Sequence, residues 1–291
     1  MIKNPISYPG NKNKLASQII QLLPIENIDT IVEPFCGSAV ISSNTKYKNI
    51  ILNDNNKFIL KILEYQKNNS FEQIVKDVES IINQYGLTYS RIKPRGTYVE
   101  YKHEGLSVYN KEGFDKLKKD FNNNFDVKKL FVLLIYGFNH YLRFNSNGEF
   151  NVPVGKVDFS RSFYEELKKF ETVFNTLNIK LCNYDFLNYE LYSYDNAIYY
   201  FDPPYLITTA PYNTNWNENK EKQLLKLLDD LNEKEKKFAL SNVILSNGKE
   251  NKILIDWARK YNIHYLKRQY RNASYQKKNI TDTIEVLVTN Y

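Results

Sequence analysis

Short apolar runs alternate with amphipathic helical patterns along most of this chain. In the strongest run, Ala197 to Phe201 are all apolar or aromatic, as in a strand that is buried on both faces within a parallel sheet. Other apolar runs predict strands that begin at residue 30 and that span 50–53, 179–186, 238–242, 264–267 and 283–290. Apolar positions three and four residues apart predict helices near 15–23, 71–85, 163–177, 218–231 and 253–261. This alternation predicts an α/β fold around a central sheet.

The strand that precedes Asp202 must end there, because Pro203 and Pro204 fix the backbone and supply no N–H to a sheet ladder. A carboxylate, two rigid turn residues and the ring of Tyr205 are therefore predicted at the carboxyl end of a central strand. Ligands of open α/β sheets bind at that edge. The segment Asp202–Tyr205 is thus the first candidate for a reactive site.

This tetrapeptide suits a reaction in which a planar amino nitrogen is the nucleophile. The lone pair of an exocyclic base amine is delocalised into its ring. Acceptors that bind its two N–H groups would favour attack by stabilising the positive charge that develops on nitrogen. Asp202 and the Pro203 carbonyl are such acceptors, and Tyr205 could stack on a base taken out of its duplex. Taken alone, the motif is equally compatible with a structural turn beside a packed tyrosine.

An earlier strand leads into a turn of the kind that lets a cofactor come close to the backbone. After the strand at residue 30, Gly37 and several small residues are expected to open a helix, without the three-glycine fingerprint of dinucleotide enzymes. The strand at 50–53 ends at Asp54, where an acid can accept hydrogen bonds from a ribose. This order favours a cofactor that contains adenosine. The basic turn Tyr8–Lys12 could bind an anion or could simply be solvated.

The chain changes character between residues 58 and 129, which are expected to form an inserted, mostly helical domain. A strongly apolar run at 130–138 leads into residues 139–155. There, Ser-Asn-Gly lies between alternating aromatic and polar residues, which is a hairpin signal. A two-stranded ribbon that carries Arg143 and several asparagines would fit the major groove of DNA. An edge hairpin with solvated polar side chains is the structural alternative.

Composition adds a preference for a polyanionic partner. Forty Lys and Arg against 33 Asp and Glu give a net charge of +7, which suits nucleic acid. The many neighbouring Lys and Asn residues reduce the weight of that charge as evidence. Tyrosines among basic residues at 268–278 could stack on bases and contact phosphates.

Metal and membrane chemistry are not expected. The two cysteines, Cys36 and Cys182, and the three histidines form no metal-ligand pattern. No apolar run approaches the ~18 residues that a membrane span needs. The sequence therefore predicts a cytoplasmic protein with no metal site and no membrane contact.

Together, these motifs resemble the alpha group (D12 class) of N6-adenine DNA methyltransferases, the family of the Dam and DpnII-type methylases. The family order is an N-terminal cofactor motif, a Phe-x-Gly motif, a target-recognition insertion and Asp-Pro-Pro-Tyr. In this chain the same order is Tyr8–Lys12, Glu33–Gly37, the insertion and Asp202–Tyr205. The resemblance covers nearly the whole chain.

The resemblance implies S-adenosyl-L-methionine as cofactor and double-stranded DNA as partner. The positions that it assigns to cofactor binding are Tyr8, Lys12, Phe35, Gly37, Asp54, Asp185, Phe186 and Asp202. The catalytic positions are Asp202, Pro203, Pro204 and Tyr205. The DNA-binding positions are Phe138, Asn139, Arg143, Asn151 and Pro153. Among these, Arg143 matches a reader of guanine and Phe138 matches an aromatic that inserts beside the flipped base.

The implied fold is a seven-stranded, Rossmann-like methyltransferase sheet formed by residues 1–57 and 160–291. A mostly helical target-recognition domain with a β-hairpin, residues 58–159, is inserted between the second and third strands. The implied protein is a bacterial or phage-encoded monomer that methylates adenine N6 by base flipping. It would act in a restriction–modification system, beside an endonuclease that is not physically bound, or as an orphan enzyme.

Three departures and two alternatives remain. The family's Trp-x-Gly-Gly-Lys is Tyr8-Pro9-Gly10-Asn11-Lys12 here, and its glycine-rich cofactor loop is reduced to Gly37-Ser38-Ala39. Tyr141 replaces an aliphatic residue of the Dam branch, so GATC specificity does not follow. One alternative is an RNA or protein-amide N-methyltransferase, which the recognition hairpin disfavours. The other is a catalytically inactive DNA-binding module. The three acids Asp54, Asp185 and Asp202 argue against such decay.

Overall fold

The computed structural model describes residues 1–6, 10–101, 105–208, 216–267 and 283–291. Tyr8, most of the loop after Tyr205 and the basic stretch near the C-terminus lie outside the described residues. The chain divides into two compact units. The first contains Met1, Lys12–Asn55 and Asn178–Tyr291, and the second contains Ile2–Asn11 and Asn56–Leu177.

One mostly parallel sheet forms the centre of the first unit. Its strands in the described residues are β1 (Thr30–Glu33), β2 (Asn49–Asn53), β3 (Ile179–Cys182), β4 (Ala197–Phe201), β5 (Lys237–Ser246), β6 (Lys249–Glu250), β7 (Asn262–Leu266) and β8 (Ile284–Thr289). The strand order is β3-β2-β1-β4-β5-β8-β7, and the short β6 pairs with β5. The five neighbouring strands β3, β2, β1, β4 and β5 run parallel to one another. Strand β8 is antiparallel to both β5 and β7. The expected Rossmann-like methyltransferase fold is confirmed.

The reactive edge of this sheet follows from the strand order. Strand β4 is buried at all five positions and pairs with β1 on one side and β5 on the other. After β1 the chain adds strands towards β3, and after β4 it adds them towards β7. The point between β1 and β4 is therefore a topological switch point, where ligands of open α/β sheets bind. Asp202 follows β4 directly at this point.

The described residues form eight α-helices. They are α1 (Ala16–Leu22), α2 (Lys57–Asn68), α3 (Phe71–Tyr85), α4 (Ser107–Asn123), α5 (Val127–Tyr136), α6 (Arg161–Phe174), α7 (Glu218–Glu233) and α8 (Lys252–Ala258). Helices α1, α7 and α8 belong to the first unit, and the others belong to the second. None of the helices in the described part of the chain is both long and apolar enough to span a membrane.

Two local expectations differ from the structure. The residues after Gly37 do not open an α-helix; they form a compact turn and a single 3-10 turn at Ser42–Asn44. The positive φ of 57° at Ala39 interrupts helical geometry there. Strand β5 runs past the expected end and pairs with β6 across Asn247-Gly248, where both φ angles are positive. Asn-Gly is the usual sequence of such a tight hairpin, so this signal was present in the chain.

The second unit is built around α5. Its run from Leu130 to Tyr136 is buried at every position, as expected of a helix that is apolar on all faces. Ser70, Asp126 and Ser160 cap α3, α5 and α6 by accepting backbone N–H bonds. These caps explain why the helices begin where they do.

Helix α6, which the sequence analysis assigns to the catalytic domain, belongs to the second unit. A buried polar cluster accounts for its place there. Glu171 of α6 accepts from the Gln66 side chain at 2.8 Å, and Asn4 donates to Gln66 at 3.1 Å. Burial raises the pKa of Glu171 to about 8, so this acid enters the core largely in its neutral form. The expected role of this unit in DNA recognition stays a prediction.

Candidate active site

Four side chains meet at the carboxyl end of β4. The Lys12 Nζ lies 2.6 Å from Asp202 Oδ1, and the Tyr205 hydroxyl is 3.0 Å from the same oxygen. Glu285 of β8 places Oε1 2.9 Å from the Tyr205 hydroxyl and 3.6 Å from Lys12 Nζ. The Lys12 ammonium also lies over the Tyr205 ring, 4.9 Å from its centroid. Both contacts of Asp202 use Oδ1, so neither of them occupies its second oxygen, Oδ2.

This cluster is largely withdrawn from water. The Asp202 side chain is 18% exposed, whereas those of Lys12 and Glu285 are 6% and 1% exposed. Burial raises the pKa of the Asp202 carboxyl; the Lys12 ammonium opposes that rise, and Glu285 adds to it. Burial also raises the pKa of Tyr205, so its hydroxyl remains a proton donor. The resemblance assigns Lys12 to the cofactor, whereas the structure places its ammonium on Asp202.

Another acid, Glu33, lies at the end of β1. It is buried and accepts a hydrogen bond from the Ser42 N–H at 2.7 Å and another from the Ser42 hydroxyl. Burial raises the pKa of Glu33 to about 8, although the bonds from Ser42 oppose that rise. Glu33 is therefore mostly protonated near neutral pH, and it ties the far end of the turn that follows β1 back to that strand.

The predicted glycine turn and the predicted acid meet in the structure. The Gly37 N–H donates to Asp54 Oδ2 at 3.1 Å, and the Cys36 N–H donates to the Asn53 carbonyl at 2.8 Å. Gly37 has a φ of 47°, in the left-handed region that favours glycine. The end of β2 thus holds the turn that follows β1.

Asn53 is a site residue that the sequence analysis missed. It is fully buried, and its side chain donates to the carbonyls of Pro34 and Tyr184 at 2.9 and 3.1 Å. Its Oδ1 accepts from the Tyr184 N–H at 2.8 Å. One amide therefore joins the ends of β1, β2 and β3. An asparagine in an otherwise apolar strand was its only signal.

Three aromatic rings pack beside this turn. The ring centroids of Phe35 and Phe186 are 5.3 Å apart, and Trp216 lies 5.7 Å from Phe35 and 5.6 Å from Phe186. The Trp216 indole N–H donates to Glu221 at 2.7 Å. The structure thus brings two predicted residues together and adds a tryptophan that periodicity could not identify. Asp185 is exposed, and its carboxylate accepts from the Leu187 N–H at 2.9 Å.

Glu285 is the other residue that the sequence analysis missed. It lies between Ile284 and Val286 in a strand that otherwise carries apolar residues and threonine. A lone acid at a buried strand position was a signal, because unpaired buried charges are costly. Its partners could not be inferred, since Tyr205 is 80 positions away in the chain.

The predicted DNA-binding residues belong to the second unit. Phe138, Asn139, Arg143, Asn151 and Pro153 are all exposed. The Arg143 Nε donates to Asn151 Oδ1 at 2.8 Å, and its Nη2 donates to the Asn151 carbonyl at 3.0 Å. Two predicted residues therefore form one preorganised group.

The expected hairpin has a less regular form than two continuous strands. Its arms pair at two isolated antiparallel bridges, Gly137 with Val154 and Phe144 with Phe150. The tip is closed by Asn145, whose side chain accepts the N–H groups of residues 147 and 149. Regular pairing is limited because Pro153 has no N–H and Asn139 has a φ of 52°.

The described residues contain no group of three or more His, Cys, Asp or Glu side chains suited to a metal ion.

The raised pKa of Glu33 predicts a pH-dependent stability. The folded state binds the Glu33 proton up to about pH 8, whereas an unfolded chain releases it near 4.5. Stability from this group is therefore complete below about pH 4.5 and is lost as the pH rises through about 8. Each unit of difference is worth about 1.4 kcal/mol. The wild type should thus lose on the order of a few kcal/mol across this window.

The test is chemical denaturation of the wild type and the Glu33→Gln variant at a series of pH values. The variant cannot ionise here, so its unfolding free energy should fall less steeply over the same window. The matched control is Glu26→Gln at an exposed position, which should follow the wild type. Equal slopes for Glu33→Gln and the wild type would contradict the assignment.

Comparison with known proteins identifies the family of this chain. A family model of the D12 class N6 adenine-specific DNA methyltransferases matches residues 8–272. The chain is 36% identical over 299 residues to Type II methyltransferase M.FokI of Planomicrobium okeanokoites, and 35% identical over 301 residues to modification methylase StsI of Streptococcus sanguinis. Both alignments cover all of this chain but only 43% of the relative. It is also 21% identical to the DNA adenine methylase of Escherichia coli K12, over 90% of this chain and 86% of that protein. The chain belongs to the D12 class N6 adenine-specific DNA methyltransferase family.

Proposed function

We propose that this chain transfers a methyl group from S-adenosyl-L-methionine to N6 of an adenine in double-stranded DNA. The observation that carries the proposal is the Asp202 carboxylate at the topological switch point, where Lys12 and Tyr205 bind one of its oxygens. The names of the relatives, a Type II methyltransferase, a modification methylase and a DNA adenine methylase, support the same reaction class.

Asp202 supplies the charge that the reaction needs. Its Oδ2 would accept an N–H of the target amine and stabilise the positive charge that grows on nitrogen. The Lys12 ammonium, 2.6 Å from Oδ1, favours the ionised form of the acid. The carbonyl of Pro203 would accept the second N–H. The proline pair limits backbone motion at these acceptors, so little reorganisation is needed when the amine arrives.

The first unit has the donor set for the cofactor. S-adenosyl-L-methionine would supply an electrophilic methyl group bonded to a sulfonium. Asp54 would bind the ribose hydroxyl groups, and the close turn at Gly37 would allow the cofactor to approach the backbone. Phe35 and Phe186 would pack against the adenine ring, with Asp185 as a polar partner for it. Tyr8 is proposed to contribute on the basis of its position in the family motif alone.

The target base would be taken out of the duplex. Tyr205 is buried in this structure and is held by its hydroxyl. In the DNA complex, a face of its ring would stack on the flipped adenine. In the second unit, Phe138 is 45% exposed, as required of a side chain that inserts between bases. Arg143 would read a guanine in the major groove, and Asn139, Asn151 and Pro153 would make further DNA contacts.

The biological setting that we propose is DNA modification in a bacterium or phage. Because the chain spans less than half the length of M.FokI and StsI, the complete activity of those proteins does not transfer to it. Restriction–modification with a cognate endonuclease, or an orphan methylase, remains the proposed context.

Methylation assays test this function. Purified protein would be incubated with S-adenosyl-L-methionine and duplex DNA, RNA or protein, and the products would be identified by mass spectrometry. N6-methyladenine in duplex DNA is expected. Methylation confined to RNA, to protein amides or to cytosine would overturn the proposal.

Asp202→Asn should reduce methylation at least ~10²-fold, because one preorganised charge acceptor is lost. The amide preserves the size of the side chain, so binding of the cofactor should remain close to that of the wild type. Rates are measured under single-turnover conditions, and cofactor affinity is measured by calorimetry. Turnover near the wild-type rate would show that Asp202 is not the acceptor.

Asp54→Asn should weaken binding of S-adenosyl-L-methionine by roughly 1.5–3 kcal/mol, the range for a charge-assisted hydrogen bond. The amide oxygen can still accept the Gly37 N–H, so the turn should keep its shape. The matched control is Asp195→Asn, whose side chain is 96% exposed. Equal calorimetric affinities for the wild type, Asp54→Asn and Asp195→Asn would show that Asp54 does not bind the cofactor.

Arg143→Ala should relax the preference at one guanine of the recognition site by ~1–3 kcal/mol and leave the other positions unchanged. Arg143→Lys keeps the charge but loses the planar fork, so it should show the same relaxation. Asn151→Ala should have a weaker effect at the same base, because Asn151 fixes the Arg143 Nε. Each variant would methylate a randomised DNA library, and the modified adenines would be sequenced. A uniform loss of activity with an unchanged site preference would indicate a phosphate contact instead.

A further inference from the structure

Glu285 lies at the active-site cluster but outside the residues that the family model matches, which end at 272. It is 1% exposed and lies on β8, which pairs with β5 and is thus two strands away from β4. Its Oε1 faces the Tyr205 hydroxyl and the Lys12 ammonium, the same two groups that bind Asp202. In this position Glu285 can act on the reaction through Tyr205 and Lys12.

The two carboxylates share one hydroxyl proton. Tyr205 has a single O–H, and its oxygen lies 3.0 Å from Asp202 Oδ1 and 2.9 Å from Glu285 Oε1. The proton that Glu285 attracts is therefore withdrawn from Asp202. Less donation to Asp202 leaves that carboxylate a stronger acceptor for an amine.

The charge of Glu285 acts in the same direction. The Asp202 Oδ1 and Glu285 Oε1 atoms are about 6 Å apart at most, because both lie within 3.0 Å of the Tyr205 hydroxyl. The charge of Glu285 at this separation adds to the rise in the pKa of Asp202 that burial causes. Lys12 also acts on Asp202 and lowers its pKa, whereas Asp202 itself helps to raise the pKa values of the buried Glu33 and Tyr200. Of the two glutamates, Glu285 is the one that contacts both Tyr205 and Lys12.

We infer that Glu285 is a positioning residue for methyl transfer. It holds Tyr205 by its hydroxyl as the base-stacking surface, and it keeps Asp202 a strong hydrogen-bond acceptor for the target amine. The inference rests on the proposed function, since it assigns to Glu285 a role in that reaction.

The experiment is the pH dependence of kcat for DNA methylation by the wild type and by Glu285→Gln. The amide keeps the size of the side chain and removes the charge. We expect kcat to fall about tenfold, in line with a weaker acceptor. We also expect the acid limb of the profile to move by about one unit to lower pH, because removing a like charge lowers the pKa of Asp202. The matched control, Glu250→Gln on the exposed strand β6, should retain the wild-type profile.

The outcomes separate this inference from the function that it rests on. A wild type that does not methylate DNA contradicts the proposed function. A wild type that is active, with a Glu285→Gln variant that retains its kcat and its acid limb, overturns the inference alone. A reduced kcat with an unshifted limb and a lower melting temperature would assign Glu285 a merely structural role and would also overturn it.

Glu285→Asp decides the question if the glutamine variant does not fold. It keeps the charge but shortens the reach to Tyr205, so kcat should fall while the acid limb stays within error of the wild type. Wild-type kcat in Glu285→Asp would show that the contact with Tyr205 is not needed. An acid limb that moves as far as expected for the loss of the charge would likewise overturn the inference.

Discussion

The partly buried Asp202 carboxylate is the constraint on which the active-site cluster depends. A carboxylate withdrawn from water is stable only if donors replace its hydration, and here the donors are the Lys12 ammonium and the Tyr205 hydroxyl. Lys12 is itself almost fully buried, so its ammonium group in turn depends on the Asp202 carboxylate to replace its hydration. These contacts hold Asp202 at the end of β4, Lys12 and Tyr205 in one arrangement.

Two acids at this edge of the sheet meet the cost of burial in different ways. Burial raises the pKa of Asp202, and the paired Lys12 ammonium opposes that rise by favouring the charged form. Glu33 has the Ser42 N–H and hydroxyl as donors, and its pKa of about 8 keeps it mainly neutral. The difference suits their positions. The reaction that we propose requires a charged acceptor beside the target amine, whereas a neutral acid is sufficient to hold a turn.

Preorganisation by a neighbouring side chain recurs in the second unit. The Arg143 guanidinium is exposed, yet two hydrogen bonds to Asn151 restrict its orientation. The arm that carries Arg143 follows α5, a helix buried along its whole length. A long flexible side chain is thus presented from a rigid support, which would reduce the conformational entropy lost in the base contact that we propose for it.

The sequence by itself determined most of the elements and the order of the motifs, although the helix expected after Gly37 does not form. Local signals were sufficient for β4 and its end, because the apolar run and the proline pair act through neighbours in the chain. Only the tertiary structure decided which polar groups meet. Lys12 and Glu285 reach the Asp202 turn from distant parts of the sequence. Glu285 does so because β8 pairs with β5 and β5 pairs with β4. Periodicity records which face of an element is buried, but it holds no information about the partner of a buried charge.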